Sequence, residues 1–332
     1  MPKWCLIVRH ETSVGSPEEA LQIKSILDAH RSILMQYAFQ PSAADTAWTL
    51  GLDSLGGHFS TEYWQLAGAV RSGQNNGVYW RQVGGLLGLA FDCEDDTRGD
   101  PAQLAYQGYQ RILETAADLQ CPWLLRAWNF LPAINMGHGE NERYQRFCLG
   151  RADALQAAGI EGEKLCAGTA IGSDDTRLKI FALAGITPGI NIENPRQISA
   201  YHYPRIYGPR SPSFSRATAL PQPDGRVLLL VSGTASIVGH QTLHSGDLKA
   251  QLDEITANLS ALLDHSTQQL QHPRPITFNQ HSLMRAYVRH AQDWPQVCQH
   301  LTQTWPDMPV VGLRGDICRA DLLVEVEAVT WG

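Results

Sequence analysis

Charge is scarce in this chain of 332 residues: only 18% are Asp, Glu, Lys or Arg, and 26 basic residues face 33 acidic ones, a net charge of −7. There is no cationic surplus to neutralise a phosphate backbone or an anionic bilayer. That excludes a general nucleic-acid or membrane-surface binder while leaving room for a local basic pocket. The seven cysteines (Cys5, Cys93, Cys121, Cys148, Cys166, Cys298 and Cys318) contain no C-x-x-C pair and no Cys/His spacing suited to zinc. Their odd number and wide spread suit reduced thiols and no metal centre. No apolar run reaches the roughly eighteen residues of a membrane span, and residues 1–9 hold too short a run for a signal peptide. The expectation is a cytoplasmic protein. A Walker loop, a dinucleotide fingerprint and the Gly-x-Ser-x-Gly of a nucleophile elbow are missing as well.

What is present reads as a globular α+β chain. Hydrophobic residues make up 43%, and the length suits two packed domains. Apolar runs and alternation predict strands over 4–8, 78–80, 86–91, 123–128, 165–171, 180–183, 197–203, 227–232, 276–278, 284–288, 310–313 and 322–329. Helices are predicted over 101–119, 140–158, 246–263 and 294–304, with a further stretch of mixed periodicity over 18–36. Pro101 suits a first helical turn, and Gly159 suits a C-terminal cap. The region after Gln36, to about Asn76, is polar and Gly-rich and reads as loop. Both halves share an order of strand, strand, long helix, strand, helix, strand, which suggests two related units, 1–160 and 161–332, with the boundary near Gly159 to Glu163.

Four segments carry chemistry. The closing one, Asp316-Ile317-Cys318-Arg319-Ala320-Asp321-Leu322-Leu323-Val324-Glu325-Val326-Glu327, puts a thiol and two carboxylates on a β-rich, apolar element. A buried carboxylate without a partner is costly, so Glu325 or Glu327 is either paired or catalytic. Residues 194–216 hold four arginines and three tyrosines among prolines. On an extended segment Tyr203, Arg205 and Tyr207 would point one way, a site for a small dianion; a solvated loop explains the same composition equally well. In 126–151, Asn129 and Asn135 precede a helix, and Arg143, Tyr144, Phe147 and Arg151 follow on it. A part-buried Arg151 needs an anionic partner, whereas Trp128 and Phe147 read as core. In Ser232-Gly233-Thr234-Ala235-Ser236, small residues after an apolar strand let a ligand approach the backbone. His240 and His244 read as surface or capping residues.

Together these segments resemble the chorismatase family, including its 3-hydroxybenzoate synthase branch. The resemblance runs through 128–151, Ala167-Gly168-Thr169-Ala170-Ile171-Gly172, 194–216, 232–244 and 316–327. Its most specific piece is Tyr203-Pro204-Arg205-Ile206-Tyr207-Gly208-Pro209-Arg210-Ser211-Pro212-Ser213-Phe214. The first 120 residues match loosely. The resemblance implies a YjgF-type trimer condensed into one chain as two packed YjgF/chorismate-mutase-like α/β units, the C-terminal half closest to that type. It also implies a site between the halves that takes chorismate with no metal or organic cofactor, in a monomer or weak oligomer. Glu325 would be the acid and Glu327 a structural partner. Arg205 with Tyr207 and Arg151 with Tyr144 would anchor the two carboxylates, with Arg143, Thr169 and Gly233 beside them. Cys318, seven residues before the acid, points to the branch that aromatises the ring. The alternatives are hydrolysis to a dihydroxycyclohexadiene carboxylate, a mixture of 3- and 4-hydroxybenzoate, imine hydrolysis, and a binding module without turnover.

Overall fold

The computed structural model describes residues 7–11, 32–39, 48–97 and 99–332. In chain order the first strands are β1 (Ile7–Glu11), β2 (Ser32–Ala38), β3 (Trp48–Thr49), β4 (Ser54–Gly57), β5 (Thr61–Leu66), β6 (Val70–Asn75), β7 (Val78–Val83) and β8 (Leu86–Glu94). Helix α1 (Pro101–Asp118), strand β9 (Trp123–Pro132) and helix α2 (Arg143–Ala157) follow. Then come β10 (Ala167–Ser173), β11 (Arg177–Gly185), β12 (Ile190–Ile192), β13 (Ala217–Pro221), β14 (Val227–Thr234), β15 (Ile237–Val238) and β16 (Gln241–Thr242). The chain closes with α3 (Leu248–Gln269), β17 (Leu283–Val288), α4 (Trp294–Thr304), β18 (Val310–Arg314), β19 (Asp316–Ile317) and β20 (Val324–Trp331).

Three larger sheets result: β1-β5-β2-β3, β19-β10-β9-β11-β8-β7-β6 and β12-β13-β14-β20-β17-β18-β4. Their inner faces share one core. Tyr37, Trp64 and Leu66 of the first sheet meet Trp128, Phe130 and Phe181 of the second, and Leu230, Tyr287 and Leu313 of the third. Helices α1 and α2 cover the outer face of the second sheet, and α3 and α4 that of the third. The second and third sheets are thus apolar on both faces, which is why their strands read as continuous runs and not as clean alternation.

The predicted helices at 101–119, 246–263 and 294–304 all form. Asp100 caps α1 by accepting from the Ala102 N–H, and Asp247 caps α3 by accepting from the Ala250 N–H. The helix expected from residue 140 begins as a 3₁₀ turn at Gly139–Asn141 before α2 proper. Four expectations are corrected. Residues 32–36, expected as helix, are strand β2, with Leu34, Met35 and Tyr37 wholly buried; the rest of the 18–36 stretch lies outside the described residues. The polar region expected as loop holds β3 to β6, because its Thr, Tyr, Trp and Val residues extend against other strands, β3 on β2, β4 on β18, β5 on β1 and β2, and β6 in a hairpin with β7. Residues 197–203 are not a strand. They lie in loop and 3₁₀ structure, Ala200–His202 being one turn and Arg205–Tyr207 the next. Pro195 and Pro204 bracket these residues and supply no ladder donors. Residues 276–278 are likewise not a strand.

The helix pair on the second sheet depends on one close approach. A Cβ at Gly150 of α2 would lie 1.8 Å from the Ala102 carbonyl oxygen of α1. Gly150→Ala is expected to cost about 1–3 kcal/mol by forcing the helices apart, read as a lower denaturation midpoint in urea; an unchanged midpoint would count against this packing.

Candidate active site

The second and third sheets meet along β10 and β14, where their backbones are stitched by hydroxyls. Ser232 Oγ accepts from the Gly168 N–H at 2.9 Å, and Thr218 Oγ1 from the Ala167 N–H at 2.8 Å. Beside this seam opens a cavity of about 770 Å³. Its floor is Glu325 on β20, its walls are Thr169, Gly233, Tyr144 and Cys318, and its rim carries Arg151, Arg216 and Arg319.

Strand β20 alternates. Val324, Val326 and Ala328 face the core under α3, so Glu325 and Glu327 face inward between the sheets. The β14–β20 pairing slips by one residue between Val231 and Thr234. This bulge lays Gly233 over the acid: a Cβ there would sit 1.9 Å from Glu325 Oε1. A glycine is required because the carboxyl occupies the space a side chain would take.

The two glutamates have opposite environments. Glu327 Oε1 accepts from Tyr287 Oη at 2.8 Å, Arg285 Nη1 at 3.0 Å and Trp128 Nε1 at 3.2 Å. Its Oε2 accepts from Arg126 Nη2 at 2.6 Å and from the Thr169 hydroxyl. Burial alone would raise its pKa, but the two guanidinium groups and these donors overcome that and hold the carboxyl below its usual range. Glu325 is 5% exposed. Burial, and then the charge of Glu327, push its carboxyl up to about 8, against partial offsets from Arg126 and Arg216. At neutral pH the strand therefore presents one carboxylate and, two residues earlier, one carboxylic acid.

Cys318 lies in the turn between β19 and β20, not on the closing strand. Arg289 shapes that turn: Nε donates to Leu322 O at 2.8 Å, Nη1 to Asp316 Oδ1 at 2.7 Å, and Nη2 to Ile317 O at 3.1 Å and Arg319 O at 3.0 Å. Asn135 Nδ2 also donates to Ile317 O, at 3.0 Å. Tyr144 on α2 hydrogen-bonds to the thiols of both Cys148 and Cys318. Burial and nearby Glu325 push the Cys318 thiol far up, and Arg319 offsets this only in part, so the group is a thiol at neutral pH, not a thiolate.

The rim cations are held without neutralisation. Arg151 lies over the Tyr109 ring at 5.1 Å, and its Nε is buried without a hydrogen-bond partner. Arg216 donates through Nη2 to Tyr203 Oη at 2.8 Å and Ile198 O at 2.9 Å, and its Nε is also unpartnered. Arg319 lies 4.0 Å over the Tyr207 ring, with Nη1 on His240 O and Thr242 Oγ1. Among the described residues, none of the three has a carboxylate within ion-pair distance. Buried guanidinium groups in that condition select an anion.

Of the residues singled out from sequence, the fold brings Glu325, Cys318, Tyr144, Arg151, Tyr207, Thr169 and Gly233 to the cavity. It does not bring Arg205, whose side chain is 80% exposed and 3.6 Å from Glu140. The 3₁₀ turns bring Tyr203 and Tyr207 together, ring centres 5.6 Å apart and tilted by 48°, and turn Arg205 outward. Arg143 also points elsewhere, bonded to Asp95 and to the Pro132 and Thr97 carbonyls. The Thr169 hydroxyl is spent inside the protein, accepting from Arg126 Nη2 at 2.6 Å and the Gly233 N–H at 3.0 Å while donating to Glu327. Arg216 and Arg319, which the sequence reading does not name as anchors, reach the cavity instead. Their signal in the sequence is that Arg319 adjoins Cys318 and Arg216 precedes an apolar strand.

Comparison with known proteins bears directly on this arrangement. Residues 62–184 match the family model described as chorismatase FkbO/Hyg5-like, N-terminal. A 3-hydroxybenzoate synthase of Streptomyces hygroscopicus is 34% identical over 277 residues, 81% of this chain and 80% of that protein. This chain belongs to the chorismatase family. A chorismatase of Streptomyces rapamycinicus is 36% identical over 278 residues, 81% of each chain. A chorismatase crystal structure superposes with a TM-score of 0.82 at 29% identity, covering 98% of both chains. Over 36% of its length the chain also aligns with a YjgF/YER057c/UK114-family structure from Mycobacterium tuberculosis, at 21% identity and a TM-score of 0.25. The family model begins at Glu62, so this chorismatase's β5 and the residue that pairs with Arg285 fall inside the matched segment.

The protonation of Glu325 can be read without substrate. Infrared titration is expected to show a buried carboxylic C=O band that persists through pH 7, fades as pH rises through about 8, and is missing in Glu325→Gln. A band already lost by about pH 6, in the ordinary upper range for a glutamate, would sink this assignment.

Proposed function

We propose that this chorismatase converts chorismate to 3-hydroxybenzoate and pyruvate, with Glu325 as the proton donor. The observation that carries the reading is a buried carboxyl, neutral at physiological pH, at the floor of a cavity rimmed by three unpaired guanidinium groups. The names of the relatives point to the same substrate. Chorismate has a ring carboxylate and an enolpyruvyl carboxylate. Arg216 and Arg319 at one side of the rim and Arg151 at the other supply the complementary charge. With Arg205 turned outward, the tyrosines of its segment serve as ring platforms and hydroxyl donors beside Arg319.

Chemistry begins when Glu325 delivers its proton to the terminal methylene of the enolpyruvyl group, leaving an oxocarbenium ion and a carboxylate. The anion left on Glu325 then lies near Arg126 and Arg216, which ease its charge. Cleavage of the ether releases pyruvate, and loss of the ring hydroxyl as water aromatises the ring. Water consumed at the ketal carbon balances water lost from the ring, so chorismate equals hydroxybenzoate plus pyruvate. The protonated Cys318 thiol, oriented by Tyr144, is assigned to the ring step. The functional seam is proposed to run between the second and third sheets. Strands β10 and β11 follow the boundary read near Gly159 to Glu163 yet belong to the second sheet. A second reading, hydrolysis to the dihydroxycyclohexadiene carboxylate, uses the same acid without the thiol. A binding module without turnover has no use for an acid placed against a dianion.

Incubation with chorismate, followed by chromatography, is expected to yield pyruvate and an aromatic hydroxy acid; neither product would mean no such enzyme. Glu325→Gln should lower kcat at least about 100-fold with ligand binding kept, and full activity would remove the proposed donor. Cys318→Ala should raise the diol relative to hydroxybenzoate, whereas an unchanged ratio would make the thiol structural. Because the donor must be protonated, activity is expected to be present below about pH 8 and lost as pH rises through it.

A further inference from the structure

Glu62 lies outside the cavity, on β5 of the first sheet, yet it ends a row of buried charges that reaches the cavity floor. Arg285 donates to it through Nε at 3.0 Å and Nη2 at 2.9 Å, and Trp64 Nε1 donates at 2.6 Å. The remaining arm of Arg285, Nη1, reaches Glu327 at 3.0 Å, and Glu327 in turn takes Arg126. The order is negative, positive, negative, positive, and every member is buried. Aromatic faces seal the middle of it, with Arg285 4.7 Å from the Tyr37 ring centre, 5.2 Å from Phe39 and 5.8 Å from Trp128.

We infer that Glu62 is a positioning residue for the reaction, completing this alternating row so that Glu325 is kept in its carboxylic-acid form. The inference rests on the reading of Glu325 as proton donor. Its physical basis is the division of one cation between two anions. Arg285 gives Glu62 two hydrogen bonds and Glu327 one, so Glu327 stays a full negative charge beside Glu325 and engages Arg126. Without Glu62, the whole charge of Arg285 falls on Glu327. Glu327 then repels an ionised Glu325 less, and Arg126 becomes available to attract it. Both changes favour ionisation and disarm the donor.

The titratable and charged groups around Glu325 are Glu327 on its own strand, Arg126 from β9, Tyr287 from β17, Arg216 before β13, Arg151 and Tyr144 from α2, and Cys318 and Arg319 from the turn, with Glu142, Tyr203, Tyr207 and Asp321 further out on the same cavity wall. Only Glu327 and Arg126 belong to the row, so a change at Glu62 leaves the substrate anchors in place.

The test is the pH profile of kcat/KM for the full chain with chorismate. For Glu62→Gln, the basic limb is expected to move to lower pH by about half to one unit, on the order of what a unit charge beyond direct contact exerts in a medium of effective dielectric near 20. Activity on the acidic plateau should stay within several-fold of the unsubstituted protein. Arg285→Gln removes the opposite charge and should move the limb upward, while Arg285→Lys keeps the charge and should leave it in place. Opposite displacements cannot come from loosened packing, and either Gln variant alone decides the matter. A reduced plateau with an unmoved limb would make Glu62 purely structural and overturn the inference. A profile with no basic limb before any substitution, or a limb that survives Glu325→Gln, would instead overturn the reading of Glu325 itself.

Discussion

The ion-pair row from Glu62 through Arg285 and Glu327 to Arg126 is the constraint on which the remainder of the molecule rests. It places one carboxylate on the first sheet, one guanidinium on the second, and a guanidinium and a carboxylate on the third, so the three sheets share a single electrostatic joint. Charges buried this deeply repay their desolvation only with close partners, and removing one member strands the next at a cost of about 3–5 kcal/mol. Apolar sheets could slide against one another. Sheets joined by a bidentate pair and a five-donor carboxylate have one register, and that register positions β20 against β10 and β14.

From that register the chemistry follows. Glu325 and Glu327 share a strand face, a residue type and a depth of burial, yet the site holds one as acid and the other as base. Solvation does not separate them; hydrogen-bond donors do. Glu327 collects five, two of them from cations, while Glu325 meets Gly233 and the open cavity. The ionised neighbour then raises the proton affinity of the other, so structural anchoring and acid strength come from the same set of bonds. Thr169 is where they touch. Its hydroxyl binds Arg126, Glu327 and the Gly233 N–H, fixing the glycine that leaves room for the acid.

Much of this was legible in the residues. Helix limits followed from Pro101, the capping aspartates and apolar periodicity, because those signals are local. Two glutamates on an apolar strand announced that one of them was paired or reactive. The arginine and tyrosine loop announced an anion. Less legible was which arginine faces in. Between Pro195 and Pro204 the chain forms turns where alternation predicts a strand, so Arg205 does not join the tyrosines with which the sequence aligns it. The polar stretch before Asn76 lacked apolar runs, which hid β4 to β6 and with them Glu62. Isolated hairpins gain their stability from a neighbouring sheet, and no sequence window contains that neighbour.

By itself the sequence determined the fold class and the family, and it marked the two glutamates and the thiol of the closing segment as the groups to examine, since each depends on residue type and short-range spacing. Tertiary structure alone decided the charge state of each glutamate and which guanidinium groups meet the cavity. Residues more than two hundred positions apart, such as Glu62 and Arg285, fix those properties. Proton affinity in a buried site depends on the distances and donors around it, and only the folded chain sets them.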